Sequence, residues 1–382
     1  MKILIVSSIP SHPVNAGNRK FINSQIQMFK EMGHEIHFLF IHEFMLGNKQ
    51  SSDINQMKKE WGNKLYIYKV RVFQKLWRIF LIRYRWIFNH GYYKCNDYYP
   101  YKLHQMVNKI TKREQFDACI IHYYNLSKLF KYIKIPRLGI VTHDYFAYKN
   151  LLIGKPHIYL NTTAHEEAKA LQKCPTIFAL NDEEANYFQR LSPKSIVRSV
   201  YNIYKYVYQP ITNNHNILFF SGANEYNLNG IIWFINNILP TIINKYNDAK
   251  LIIGGSICNQ LKNKINHHNI IYYGFVDNIN KFFSQGDIAI NPTYQGTGLK
   301  IKTFESVAYS KATIVNPHSA VGIYDKEHAP IFIAYKDSDW LQHLDKLWSD
   351  SQLIKETKDK CQTYISKMNK YITEQYVNFL ES

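Results

Sequence analysis

The chain opens on an apolar, β-branched run, Lys2–Ser7, closed by a Pro/Gly/Asn-rich stretch from Ile9 to Gly17. From Asn18 to Met32 the period changes: Phe21, Ile22, Ile26 and Phe29 fall at helical spacing, which predicts a helix with one apolar face. Gly33 stops it, and Glu35–Phe40 returns to a strand pattern. Strand, helix and strand in this order form a βαβ unit, which requires a parallel sheet with crossover helices. The rhythm recurs in predicted strands at Lys64–Val70, Ala118–His122, Leu138–Thr142, Thr176–Leu180 and Ser195–Val200. Tyr201–Asn216, rich in Tyr and Asn with Pro210 inside it, breaks the alternation and reads as a linker. Beyond it come strands at Ile217–Ser221, Lys250–Gly254, Ile270–Tyr273, Asp287–Asn291 and Ala312–Asn316. Helices are predicted at Leu228–Lys245 and Leu299–Tyr309, with a helical, Lys-rich tail from Asp339. The fold class is therefore α/β, with two doubly wound domains in tandem. Sheets of this kind bind ligands at the carboxyl ends of their strands, so the loops there are the places to look.

Composition narrows the class. Of 382 residues, 46% are hydrophobic and 20% charged, which excludes wholesale disorder. No run of about 20 uncharged apolar residues predicts a spanning helix, and the start is too short and too β-like for a signal peptide. Five scattered cysteines without a C-x-x-C pair read as free thiols of a reducing cytoplasm. The formal charge of +18 is uneven: residues 1–200 carry 30 Lys and Arg against 14 Asp and Glu, while 201–382 carry 17 against 15. An anionic partner, nucleic acid or bilayer, would meet the first half.

The richest stretch for chemistry runs from Asn291 to Ala308. A strand end gives way to Gly296-Thr297-Gly298-Leu299, then to a helix carrying Lys300, Lys302 and Glu305. Free amides at a helix start favour anions, and glycines let backbone approach a phosphate closely. Two lysines there oppose the helix dipole unless an anion binds. Glu305 shares a face with Lys302 and can accept hydrogen bonds from vicinal hydroxyls.

The run from Gly296 to Val315 resembles the donor-site signature of GT-B glycosyltransferases of family 4, the glycosyl transferases of group 1. Phe219-Phe220-Ser221-Gly222-Ala223 and Asn229–Phe234 resemble the first strand and helix of that family's nucleotide-binding domain. Leu251–Gly255 is similar to its second strand, and Gly274-Phe275-Val276-Asp277 to the turn whose backbone reads the base. In the first half, Glu166–Arg190 is similar to the helix–strand–helix that leads to the linker, and Gly17 to a glycine that admits sugar and diphosphate. Thr142-His143-Asp144 resembles the cleft motif in which the histidine contacts the donor sugar and its neighbour sugar or acceptor hydroxyls. The resemblance implies two Rossmann-like domains facing a cleft: an acceptor domain 1–209, a nucleotide-sugar domain 210–365, and a C-terminal helix, 366–382, returning to the first. It implies catalytic roles for His143 and Asp144. Gly17, Gly222, Phe275, Val276, Gly296, Thr297, Gly298, Leu299, Lys300, Lys302 and Glu305 would bind the donor. A strand-end histidine is ordinarily structural, and His122 is read that way.

The implied activity is a retaining transfer from a nucleotide-diphosphate sugar to an acceptor hydroxyl, without metal or other cofactor. The acceptor would be a lipid-linked glycan or oligosaccharide of cell-surface polysaccharide or lipopolysaccharide assembly. The alternatives are a sugar-nucleotide epimerase on the same architecture and a non-catalytic nucleic-acid binder, of which the signature argues against the second. The chain departs from the family at three places. Thr297 stands where the first of two glutamates, eight positions before Glu305, is usual; Ser310 and Ala312 replace Gly and Pro; and no Arg–Lys pair follows the first strand of the second domain.

Val70–Phe88 adds a different feature. On a helical wheel Arg71, Gln74, Lys75, Arg78 and Arg85 gather on one side, and Phe73, Leu76, Trp77, Phe80, Tyr84 and Ile87 on the other. Two readings stay open: an interfacial helix on an anionic membrane, or a core helix with a solvated basic face. The charge of the same half favours the first, with Arg71, Phe73, Lys75, Trp77, Arg78, Phe80, Tyr84 and Arg85 as contacts. That implies a cytoplasmic protein peripheral to the inner face of the membrane.

Overall fold

The computed structural model describes residues 1–14, 16–42, 50–154, 160–296 and 300–382. Its first sheet holds β1 (Lys2–Ser7), β2 (Glu35–His42), β3 (Leu65–Lys69), β4 (Ala118–His122), β5 (Arg137–Val141), β6 (Thr176–Ala179) and β7 (Ile196–Ser199). The order is β3-β2-β1-β4-β5-β6-β7, with every pairing parallel. Ile3, Leu4, Ile5 and Val6 of the central strand are fully buried, because helices cover both faces of a doubly wound sheet. The connection reverses between β1 and β4, so the loops after those strands open a crevice there.

The second sheet holds β8 (Asn216–Phe220), β9 (Lys250–Gly254), β10 (Ile270–Gly274), β11 (Ile288–Asn291), β12 (Ala312–Val315) and β13 (Ile331–Ile333). Its order, β10-β9-β8-β11-β12-β13, is again wholly parallel, with the reversal between β8 and β11. The α/β doubly wound class read from periodicity is therefore the fold observed. Two details differ. The predicted helix Leu228–Lys245 is two helices, Glu225–Asn237 and Leu239–Lys245. Asn224 starts the first early by accepting from the Asn227 amide at 2.9 Å, and Pro240 cannot continue it because it lacks an amide hydrogen. The three-residue β13 is too short to show a period.

The chain divides into two compact units, Met1–Ile203 with Tyr371–Ser382, and Tyr204–Lys370. The 31-residue helix Ser351–Glu381 contributes its last turns to the first unit. There Tyr376 packs edge-on to Phe29 and against Phe178, while Gln25 donates to its hydroxyl at 2.7 Å. In the second unit Lys358 of the same helix forms a buried ion pair with Asp287 at 3.0 Å and donates to the Gln209 carbonyl. Asp287 also accepts from the amide and hydroxyl of Thr212, so one carboxylate ties the linker to the base of β11.

One glycine sets how closely the loops after β8 and β9 can approach. Gly255 has φ +98°, and a Cβ there would lie 2.2 Å from the Ser221 carbonyl oxygen. Gly255→Ala must either move that strand end or abandon its dihedral. It should lower stability by roughly 2–4 kcal/mol, measured by urea unfolding. A variant as stable as the parent would mean that the two turns do not pack this way.

Candidate functional site

In the second unit the carboxyl ends of β8, β9 and β10 are laced together. Ser221 N donates to Gly254 O at 3.0 Å, and Gly255 N to Gly274 O at 2.8 Å. Asn227, in the first turn of the helix after β8, donates through Nδ2 to the Gly222 carbonyl at 3.0 Å. Its Oδ1 accepts from Lys302 Nζ at 2.5 Å. Lys302 lies in the helix Ile301–Ala308 after β11, so its side chain joins the two strand ends that flank the reversal. Burial, reinforced by Lys300, pulls the Lys302 ammonium down to about 7, against an opposing pull from Glu305. Glu305, one turn further on, is itself buried.

His318 completes this cluster. Its Nε2 lies 2.9 Å from the Gly296 carbonyl, where it can only donate. The Lys300 ammonium, 3.4 Å from the same nitrogen, therefore meets a hydrogen rather than a lone pair. Burial and Lys300 hold His318 below its usual value. Gly296 has φ +98° and sits over the Tyr226 ring, 3.3 Å from where a Cβ would be. Lys300 and Lys302 thus act on each other beside the acid Glu305, and two ammonium groups placed so suit a phosphate-like ligand. Phe275 projects from the end of β10 at 80% exposure, while Val276 packs against the small core of Leu218, Ile252 and Phe282. Thr297, Gly298 and Leu299 lie outside the described residues.

In the first unit the ends of β4 and β5 carry paired histidines. His122 Nδ1 and His143 Nε2 are 2.8 Å apart. The His143 ring stacks on Tyr123 at 4.4 Å and meets Phe21 edge-on at 5.4 Å. Burial pulls His143 down to about 3; burial and His143 hold His122 well below 6.5, so both are neutral. His122 Nε2 is buried without a partner, and a bare lone pair is less costly there than an orphaned N–H. The network therefore assigns the shared proton to His122 Nδ1. His143 then keeps its own hydrogen on Nδ1, as a donor that does not titrate near neutrality.

Gly17 begins the helix Gly17–Glu31 after the β1 loop, and Asn18 beside it donates to the Tyr123 hydroxyl at 3.4 Å. Gly17 and His143 thus share one neighbourhood. Asp144 is held by Lys149 and accepts from the Tyr145 amide. Behind this loop, burial raises Glu167 to about 7; its carboxyl receives the Phe146 amide and the Tyr187 hydroxyl. Glu184 is raised to about 8 by burial and by Asp144.

Residues 214–350 match the family Glycosyl transferases group 1. That match lies within the second unit. An uncharacterised 44.6 kDa protein in the cps region of Klebsiella pneumoniae is 31% identical over 107 residues, 25% of this chain. The match spans 27% of that curated relative. Among solved structures, TarM aligns over 100% of this chain and 99% of its own, at TM-score 0.67 and 11% identity. Sucrose-phosphate synthase from Thermosynechococcus elongatus aligns over 100% and 98%, at 0.66 and 9%. HepE from Anabaena, solved with UDP, aligns over 99% and 100%, at 0.65 and 12%. The fold is that of the GT-B glycosyltransferases.

The second unit contains Gly222, Phe275, Val276, Gly296, Lys300, Lys302 and Glu305 of the expected donor set, at the carboxyl ends of its strands or just beyond. Sequence reasoning missed Asn227, Tyr226 and His318, which act through contacts across the chain. It read His122 as structural, and His122, fully buried, is the hydrogen-bond partner that holds His143. The register that sets His122 beside Val141 carried that signal.

The helix Val72–Phe88 corrects two expected contacts. Arg78 is only 7% exposed and donates to the Tyr98 carbonyl at 2.6 Å, and Arg85 pairs with Asp97 at 3.1 Å. These arginines anchor the helix to the protein and cannot meet headgroups from this position. The wheel found the faces but reversed the reading of a buried apolar side: Gln74 and Arg78 point inward, while Phe73, Trp77, Phe80 and Tyr84 are exposed. Arg71 is exposed and Lys75 half-buried.

Lys302 gives the anion cradle a pH signature. Its ammonium titrates near 7 before an anion binds and higher afterwards, so affinity is complete below pH 7. Above it, binding must recruit a proton, and affinity falls by up to about tenfold per pH unit until the bound-state value is reached. Pyrophosphate titrations from pH 6 to 9 should show this decline for the parent relative to Lys302→Arg, whose charge does not titrate. Parallel profiles would remove Lys302 from the cradle.

Proposed function

We propose that the protein is a retaining glycosyltransferase of the family 4 type, moving a sugar from a nucleoside-diphosphate sugar to an acceptor hydroxyl. The observation that carries this reading is the buried Lys302 ammonium with Lys300 close enough to act on it, at the strand ends of a unit whose residues 214–350 match group 1. These groups stabilise the charge that develops on a leaving diphosphate, without need of a metal ion. Glu305 receives the ribose hydroxyls, and the Phe275–Val276 turn flanks the base. In the first unit, His143 offers a neutral N–H to a sugar hydroxyl. The acceptor attacks from the face that the leaving group vacates, and a leaving phosphate oxygen takes its proton.

Uridine is the favoured base, since HepE and a TarM mutant from S. aureus were both solved with UDP. The relative in a cps region supports a role in surface polysaccharide synthesis, with a lipid-linked glycan as acceptor. Among the described residues no helix is long and apolar enough to cross a membrane. The exposed apolar side of Val72–Phe88 supports peripheral attachment to a cytoplasmic membrane, where such an acceptor would be presented.

The test is a panel of UDP-, GDP- and ADP-sugars, read as nucleotide diphosphate release and product mass. Transfer from one of them is expected. Absence of release and of any thermal shift with UDP, GDP or ADP would overturn the reading. Glu305→Ala removes hydrogen bonds to a charged acceptor worth about 1.5–3 kcal/mol. Activity should fall on the order of tenfold to a hundredfold in kcat/KM with the fold retained. Unchanged kinetics would mean that the ribose binds elsewhere.

A further inference from the structure

The helix Val72–Phe88 does more than present an apolar side. Beside it runs a groove of about 820 Å³, within the range of sites for single small molecules. Much of its lining is apolar or aromatic: Phe73, Leu76, Trp77, Phe80 and Tyr101, whose ring meets Phe73 edge-on at 5.6 Å. Leu76 is 63% exposed and Trp77 56%, an unusual cost for a soluble surface. Lys102 and Lys128 also line the groove, their ammonium groups lying over the rings of Tyr101 and Tyr99. Asp97, also in the lining, is neutralised by Arg85. Gln74, also in the lining, is 6% exposed, and its Nε2 donates to the Tyr99 carbonyl at 3.3 Å. Its Oε1 is buried and has no hydrogen-bond partner among the described residues. A buried acceptor left open at the floor of a groove calls for a donor from a ligand.

We propose that this groove binds one anionic phospholipid with a hydroxylated headgroup, drawn from the bilayer. The acyl chain lies along Phe73, Leu76, Trp77 and Phe80, the phosphate meets Lys102 and Lys128, and a headgroup hydroxyl donates to Gln74 Oε1. The choice of a lipid rests on the combination of chemistries. The apolar lining with Leu76 among it suits an acyl chain, and the cations with an open acceptor disfavour a purely apolar occupant. The excess of basic residues in the same half of the chain draws the protein to an anionic leaflet. The proposal deepens the membrane reading above, on which it rests only for the source of the lipid.

Dihexanoyl phosphatidylglycerol and dihexanoyl phosphatidylcholine, each kept below its micelle concentration, separate the groove from the surface. Calorimetric titration of the full chain should give saturable binding of the glycerol lipid, roughly tenfold tighter than the choline lipid. Lys128→Gln should reduce that preference, and Gln74→Leu should weaken the glycerol lipid alone. Trp77→Glu should weaken both; if it unfolds, Leu76→Glu at the more exposed position takes its place. Sedimentation with phosphatidylglycerol vesicles runs in parallel. Vesicle binding without saturable binding of the monomeric lipid overturns the groove and leaves the surface reading standing. The converse sustains the groove and overturns the surface. Equal affinities for the two lipids, or a lipid-free dimer that Trp77→Glu dissociates, would also overturn the proposal.

Discussion

An ammonium group drawn out of water beneath the turn after β8 is the feature on which the second unit's chemistry depends. Lys302 reaches it from the helix after β11, and Asn227 receives it from the helix after β8. Those strands are neighbours only because the sheet reverses direction between them. Burial disfavours the charged lysine, and Lys300 disfavours it further. A site that sets two amines close enough to disfavour each other's charge is suited to a charge that arrives with a ligand. The close approach of Gly255 to Ser221 and the positive φ of Gly296 are the backbone conditions for that arrangement.

The first unit solves a different problem. His143 is neutral because it is buried, and it stays oriented because Tyr123 stacks on it and His122 occupies its Nε2. An imidazole held this low cannot act as a base near neutrality, but it is a fixed donor. The carboxyls of Glu167 and Glu184 lie behind the same loop, where burial raises both. Glu167 fixes the backbone at Phe146, so the loop bearing His143 and Asp144 is held by a network rather than by a single contact.

Much of this was legible in the chain. Runs such as Ile3–Val6 and Leu251–Gly255 declare strands buried on both faces, and their alternation with helical spacing declares a doubly wound sheet. The run from Gly296 to Glu305 marked the candidate anion site because glycines, lysines and an acid at those spacings suit few other purposes. What stayed hidden depended on contacts distant in sequence. Asn227 and His318 are ordinary residues until folding sets them beside Lys302 and Gly296. The Val72–Phe88 helix shows a further limit. Periodicity separates two faces but cannot tell which is inside, and Arg78 goes inward because the Tyr98 carbonyl satisfies it there.

The central claim is that the second unit holds a nucleoside diphosphate through Lys302, Lys300 and Glu305. A crystal structure with UDP bound tests it most directly. The account predicts phosphate oxygens within hydrogen-bond distance of both lysine ammonium groups, ribose hydroxyls on the Glu305 carboxylate, and the base at the Phe275–Val276 turn. UDP seated elsewhere, with Lys302 still turned to Asn227 and touching no phosphate, would contradict it.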